Sequence, residues 1–179
     1  MEVVKAPNSK LRIKTKPVKK ISPALLKTLK EMIKLTKTFK DPEGVGLAAT
    51  QVGLTERFFV AKTLPAGSQG GKEFIIVINP KILSLSKKTK TYFEGCLSTP
   101  DIWGEVKRHL SIKVSYLDES GKPITTLLKG VLAWIFQHEV DHLDGILFQD
   151  RVLQQKGKFY RFTGKDKTGK DIFEEINLP

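Results

Sequence analysis

A chain of 179 residues with 40% hydrophobic and 28% charged positions can build a substantial core, and one domain over 1–179 is expected. No apolar run reaches the roughly 18 residues of a membrane span, the start Met1-Glu2-Val3-Val4-Lys5-Ala6-Pro7 has no secretory pattern, and a lone cysteine excludes an internal disulfide, so the expected compartment is the cytoplasm. The formal net charge of +12 fits either a polyanionic neighbour such as RNA or a solvated basic surface; no nucleic-acid motif or aromatic platform accompanies the scattered lysines.

Residues 1–21 read as an extended arm with turns at Pro7-Asn8 and Lys16-Pro17. Ser22-Pro23 is a helix start, with Ser22 as N-cap and Pro23 at the first helical position. Leu25, Leu26, Leu29, Met32, Ile33, Thr36 and Phe39 then recur at helical spacing, with lysines on the other face. Asp41-Pro42-Glu43-Gly44 ends this helix. From Gly44 to Gly53 the small residues let a backbone approach something closely. A phosphate loop does not fit, because no Lys-Ser/Thr follows and no strand precedes. Gln51 is either a satisfied buried amide or a donor aimed at a substrate, and this stretch alone does not choose.

Arg57 to Ala61 and Phe74 to Pro80 read as strands joined by a loop with Pro65, Gly67, Gly70 and Gly71. Thr89 to Phe93 is a third, short strand. Glu94-Gly95-Cys96-Leu97-Ser98-Thr99-Pro100 holds the only cysteine, and Gly95 exposes backbone N–H groups beside it. Glu105 to Leu117 alternates as one long strand through Val106, Leu110, Ile112, Val114 and Tyr116. Asp118 to Lys122 is a turn, and Ile124 to Leu128 the returning strand. His109, with no acidic or thiol partner nearby in sequence, reads as a bystander.

Gly130 opens an apolar run, Val131 to Phe136, and Gly145 is a natural stop. Between them His138 and His142 fall one helical turn apart on one face, where two imidazoles can grip one metal ion. Glu139, directly after the first, is placed to move protons for a water at that metal. The plain alternative is a core helix with two unrelated histidines. Against it, an apolar helix carrying His, Glu, Asp and His within five residues needs partners for those groups, and a metal supplies them. A catalytic metal wants a third protein ligand, and Cys96 is the natural one. After the helix, Leu147-Phe148-Gln149-Asp150-Arg151 leads into a tail. Phe159 to Phe162 and Ile172 to Ile176 flank a turn region, so a terminal hairpin is expected over 153–179.

Three stretches together resemble the three motifs of the peptide deformylases, in the same order: Gly44-Val45-Gly46-Leu47-Ala48-Ala49-Thr50-Gln51, Glu94-Gly95-Cys96-Leu97-Ser98 and Gln137-His138-Glu139-Val140-Asp141-His142. The likeness runs from about residue 10 to 152. It implies an α+β fold, antiparallel strands around a central metal-binding helix, here with a β-type tail. It also implies a hydrolase that removes the N-formyl group from the initiator methionine of new proteins. Cys96, His138 and His142 would hold one divalent metal, usually iron(II), with zinc, nickel or cobalt as substitutes. Water activated at the metal would attack the formyl carbon, with Glu139 as general base and acid. Gln51 and the Leu97 backbone N–H would hold the oxyanion. Val45 and Gly46 would pair with the extended peptide.

Val131, Trp134 and Ile135 are candidates to line the methionine pocket, and Trp103 to shape its mouth. The expected partners are N-formylmethionyl nascent peptides and, through the basic surface, the ribosome; no membrane is expected. Some members of the family end in a long helix linked to ribosome docking, which a tail with Gly157, Gly164 and Gly169 should not form. Two rivals remain at this point. A zinc endopeptidase would need a ligand downstream of the helix or on a second helix. A non-catalytic RNA- or ribosome-binding protein would use a closed structural metal and need no general base.

Overall fold

The computed structural model describes residues 1–40, 42–63 and 73–177. The arm is extended but takes a 3-10 turn at Ser9–Arg12, capped by the Asn8 side chain accepting from the Lys10 N–H at 2.9 Å. α1, Pro23–Thr38, starts as expected, with Ser22 Oγ accepting from the Leu25 N–H at 3.2 Å. It buries Leu25, Leu29, Met32 and Thr36. The glycine-rich stretch holds a short strand, β1 (Gly46–Ala48), and a 3-10 turn over Ala49–Val52. β2 (Phe58–Lys62) and β3 (Phe74–Leu85) follow; the expected loop at Pro65, Gly67, Gly70 and Gly71 lies outside the described residues. β3 continues past Pro80, because a register shift between Ile78 and Lys81 takes the proline out of the ladder.

β4 (Thr89–Cys96) reaches the cysteine itself. The expected long strand from Glu105 to Leu117 is two strands, β5 (Thr99–His109) and β6 (Ser111–Leu117), in different sheets. The chain leaves one sheet for the other at Leu110. There its N–H donates to the Lys88 carbonyl and its carbonyl accepts from the Gly130 N–H. β7 (Pro123–Lys129) returns along β6, and α2 (Gly130–Leu143) leads from it. Leu147 to Arg151 does not run straight into the tail: Phe148–Gln155 forms a short helix, α3, whose Asp150 carboxylate accepts from the Leu147 N–H at 2.7 Å. β8 (Phe159–Lys165) and β9 (Asp171–Ile176) are the expected hairpin.

The strands make two antiparallel sheets, ordered β1-β2-β3-β6-β7 and β4-β5-β8-β9. α2 is the central element. Leu132, Ala133, Ile135, Phe136, Val140 and Leu143 are all buried in the core shared with α1 and the larger sheet. The Phe136 ring meets Phe59 edge-on, with centroids 5.0 Å apart. The smaller sheet has a separate, smaller core of Val106, Phe148, Val152 and Phe159. Among the described residues no helix is long and apolar enough to cross a membrane.

Candidate active site

The site lies where α2 meets the end of β4 and the edge strand β1. Helical spacing brings His138 and His142 together edge to face, with ring centroids 4.9 Å apart. β4 delivers Cys96 to the same place, with Sγ 3.2 Å from His142 Nε2. The ligand atoms of Cys96, His138 and His142 all fall within 4.8 Å of one another. One sulfur and two imidazole nitrogens so close together fit a single divalent transition-metal ion with a coordination position left over.

The thiol is conditioned for this. Burial pushes Cys96 up, but the His142 and His138 rings outweigh it and hold the group well below the usual thiol range. Burial pulls His138 down, while its contacts with Cys96 and Glu94 carry it well above the usual imidazole range. His138 Nδ1 bonds a Glu94 carboxylate oxygen at 2.9 Å, which orients the ring and leaves Nε2 for the triad.

Glu94 belongs to a buried charge network that the sequence did not reveal. Arg108 grips it from Nε at 2.8 Å and Nη2 at 3.0 Å, and the Trp134 indole donates to it at 2.8 Å. Burial opposes its ionisation, but Arg108 and His138 bring the carboxyl down to about 2. Arg108 also donates to Asp141 at 2.5 Å, and Arg151 binds the same carboxylate through two nitrogens. The partners of Asp141 are therefore two arginines and not the metal. The only signal in the sequence was the need itself: an acid on an apolar helix must be paired. Nothing local pointed to Arg108, 33 residues away.

Glu139 turns the other way, into a cavity of about 220 Å³. Burial lifts its carboxyl to about 7 against the pull of the two histidines. Its Oε2 is buried with no hydrogen-bond partner among the described residues. A Cβ on Gly46 would strike this carboxylate, so only glycine lets β1 pass so close. β1 is the edge of its sheet. The Val45 carbonyl is taken by the Lys62 N–H at 2.7 Å. By the alternation of an antiparallel ladder, the backbone polar groups of Gly46 face away from β2.

Gln51 is 2% exposed. Its Oε1 accepts from the Ala48 N–H at 2.9 Å, which turns Nε2 toward Ser98 Oγ at 3.2 Å and Cys96 Sγ at 3.4 Å. Leu97 occupies the tight turn between β4 and β5. The N-terminal arm ties both motifs: the Val4 N–H donates to the Gln51 carbonyl and the Ala6 N–H to the Ser98 carbonyl, each at 2.8 Å. Gly95 has a packing reason, since a Cβ there would lie about 2.9 Å from the Trp103 ring.

Val45, Gly46, Gln51, Cys96, Leu97, His138 and Glu139 thus line one cavity, and His142 sits buried behind Cys96. Trp103, Trp134 and Ile135 line it too. Val131 does not; it is exposed on the first turn of α2. His109 is apart from the triad, with Nδ1 on the Ser86 carbonyl at 2.6 Å.

Comparison with known proteins places the chain beside one family. The family model described as polypeptide deformylase matches residues 1–158. The peptide deformylase of Thermotoga petrophila is 42% identical over 146 residues, 82% of this chain and 83% of its own. That of Desulforudis audaxviator is 39% identical over 150 residues, 84% of this chain and 92% of its own. Among solved structures, the peptide deformylase of Thermotoga maritima superimposes with a TM-score of 0.74 at 41% identity, covering 84% of this chain and 95% of that one. A Synechococcus elongatus peptide deformylase in complex with actinonin gives 0.74 at 36% identity, over 84% and 78% of the two chains.

Proposed function

The chain belongs to the peptide deformylase family and is an enzyme that removes the formyl group from an N-terminal methionine; from that premise we propose how its own residues divide the reaction. The observation that carries the proposal is the buried, unpartnered Glu139 carboxylate facing the cavity beside the Cys96, His138 and His142 donors. Those three residues would hold a divalent ion, which would supply Lewis acidity to the site. Iron(II) is the ion proposed in the cell; a donor set of one thiolate and two imidazoles also accepts zinc, nickel or cobalt.

Glu139 takes the proton of the attacking water and returns it to the leaving amine. A carboxyl lifted toward neutrality by burial suits both transfers. Gln51 Nε2, fixed by the Ala48 N–H on its other end, and the Leu97 N–H donate to the oxyanion. Gly46, with its outward backbone groups, pairs with the substrate main chain as an added strand, with Val45 beside it. Trp134 and Ile135 offer apolar surface to the methionine side chain. The natural substrates are nascent formylmethionyl chains in the cytoplasm. The net charge of +12 favours approach to the ribosome through the basic surface.

The test is formate release from formyl-Met-Ala-Ser by protein loaded anaerobically with iron(II), beside acetyl-Met-Ala-Ser. The proposal expects turnover of the formyl peptide and none of the acetyl peptide. Cleavage of internal peptide bonds instead would replace it with the endopeptidase reading.

A further inference from the structure

A second groove, of about 360 Å³, opens from the first and shares Pro42, Cys96, Leu97 and Trp103 with it. Its far wall is the tail: Phe162, Lys165 and Asp171 belong to the β8–β9 hairpin, past the residues matched by the family model. The register of the sheet sets that wall. Ile102 pairs with Arg161 and Trp103 with Tyr160, so Phe162, two residues beyond Tyr160, emerges on the same face as Trp103. Phe173 locks the arrangement, edge-on to Trp103 at 5.5 Å and to Phe162 at 5.8 Å.

Both lysines at this groove have partners within it. Lys5 Nζ donates to the Leu97 carbonyl at 2.6 Å, and Lys165 pairs with Asp171 at 2.6 Å. What the groove offers a ligand is chiefly apolar: Phe39, Ile102, Trp103 and Phe162, each half-buried. A peptide whose formylmethionine occupies the first cavity has one continuous trough into which its next residues can run. We propose that Phe162, on the tail, makes this groove select a bulky apolar side chain among the residues that follow the formylmethionine. The inference rests on the deformylase reading of the adjoining site and adds a specificity determinant that lies outside the family-matched region.

The experiment compares formyl-Met-Ala-Phe-Gly with formyl-Met-Ala-Gly-Gly on the metal-loaded enzyme. Burying one large apolar side chain predicts a kcat/KM ratio of about 10 in favour of the first peptide, carried mostly by KM. In Phe162→Ala the ratio falls to about 2, and Phe162→Leu restores most of it. A wild-type ratio near 1 overturns the proposal. So does a Phe162→Ala enzyme slowed equally on both peptides with its ratio intact, since the hairpin would then only support the fold. Binding of the same peptides to metal-loaded Glu139→Ala protein, followed by tryptophan fluorescence, separates the two readings. If neither peptide is hydrolysed by wild type, the reading of the first cavity fails. The groove is then judged by affinity: about 10-fold preference lost with Phe162→Ala sustains it, and equal affinities sink it.

Discussion

The two sheets are fastened to the central helix by different physics. The larger sheet meets α2 through apolar side chains: the buried rings of Phe59 and Tyr116 both lie against Phe136. The smaller sheet has a core of only Val106, Phe148, Val152 and Phe159. Beside one stacked pair, Tyr92 on Trp134, it is tied to α2 chiefly by charge: Glu94 on β4 and Arg108 on β5 reach His138, Trp134 and Asp141, and Arg151 on α3 closes the set. Apolar contact is non-directional and tolerates small slips. Paired charges and bidentate hydrogen bonds fix register and orientation. The directional fastening is found on the side that delivers Cys96, where a small displacement would take its sulfur away from the helix histidines.

This contrast can be broken from either side. The largest effect is expected for Arg108→Ala, which leaves Glu94 and Asp141 buried without their shared partner. It should cost about 3–5 kcal/mol in denaturant unfolding. It should also weaken metal affinity about 10–100-fold in the molecules that remain folded, because His138 loses its orientation. Leu29→Ala, on the fully buried face of α1, should cost about 2–5 kcal/mol and leave metal affinity unchanged. Equal loss of metal in both variants would show that the two fastenings are not distinct.

A smaller effect should appear as pH dependence. The Glu94 carboxyl titrates near 2 in the folded chain, below its ordinary 4.5. The folded state therefore gains from its ionisation above about pH 4.5, and that gain, about 3 kcal/mol, fades as the pH falls toward 2. Acid unfolding of Glu94→Gln should lack this part of the slope and start from a lower stability at pH 7. Parallel curves for the two proteins would place the acid sensitivity elsewhere.

What was legible in the sequence divides along the same line. α2 was readable from its apolar run and flanking glycines, and the cluster of Cys96, His138 and His142 from the spacing of the two histidines and the search for a third donor. α1 was readable from Ser22-Pro23 and its periodicity. The break at Leu110 was not. Val106 and Arg108 before it and Ile112, Val114 and Tyr116 after it are buried at positions of the same parity, so the alternation runs through a change of sheet. α3 was missed because only Phe148 and Val152 anchor it, too little periodicity to announce a helix of eight residues. The charge network was invisible for a deeper reason. Its members are far apart in the chain, and a buried arginine looks like any surface arginine until the fold encloses it.

The central claim is that Cys96, His138 and His142 hold the metal while Glu139 moves the proton without holding it. The most direct measurement is metal content and formate release, side by side, in Glu139→Ala. The account predicts about one ion per chain, as in wild type, with turnover of formyl-Met-Ala-Ser reduced by about 10²–10⁴. Loss of the metal along with the activity would contradict it, by making Glu139 part of the metal's holding structure.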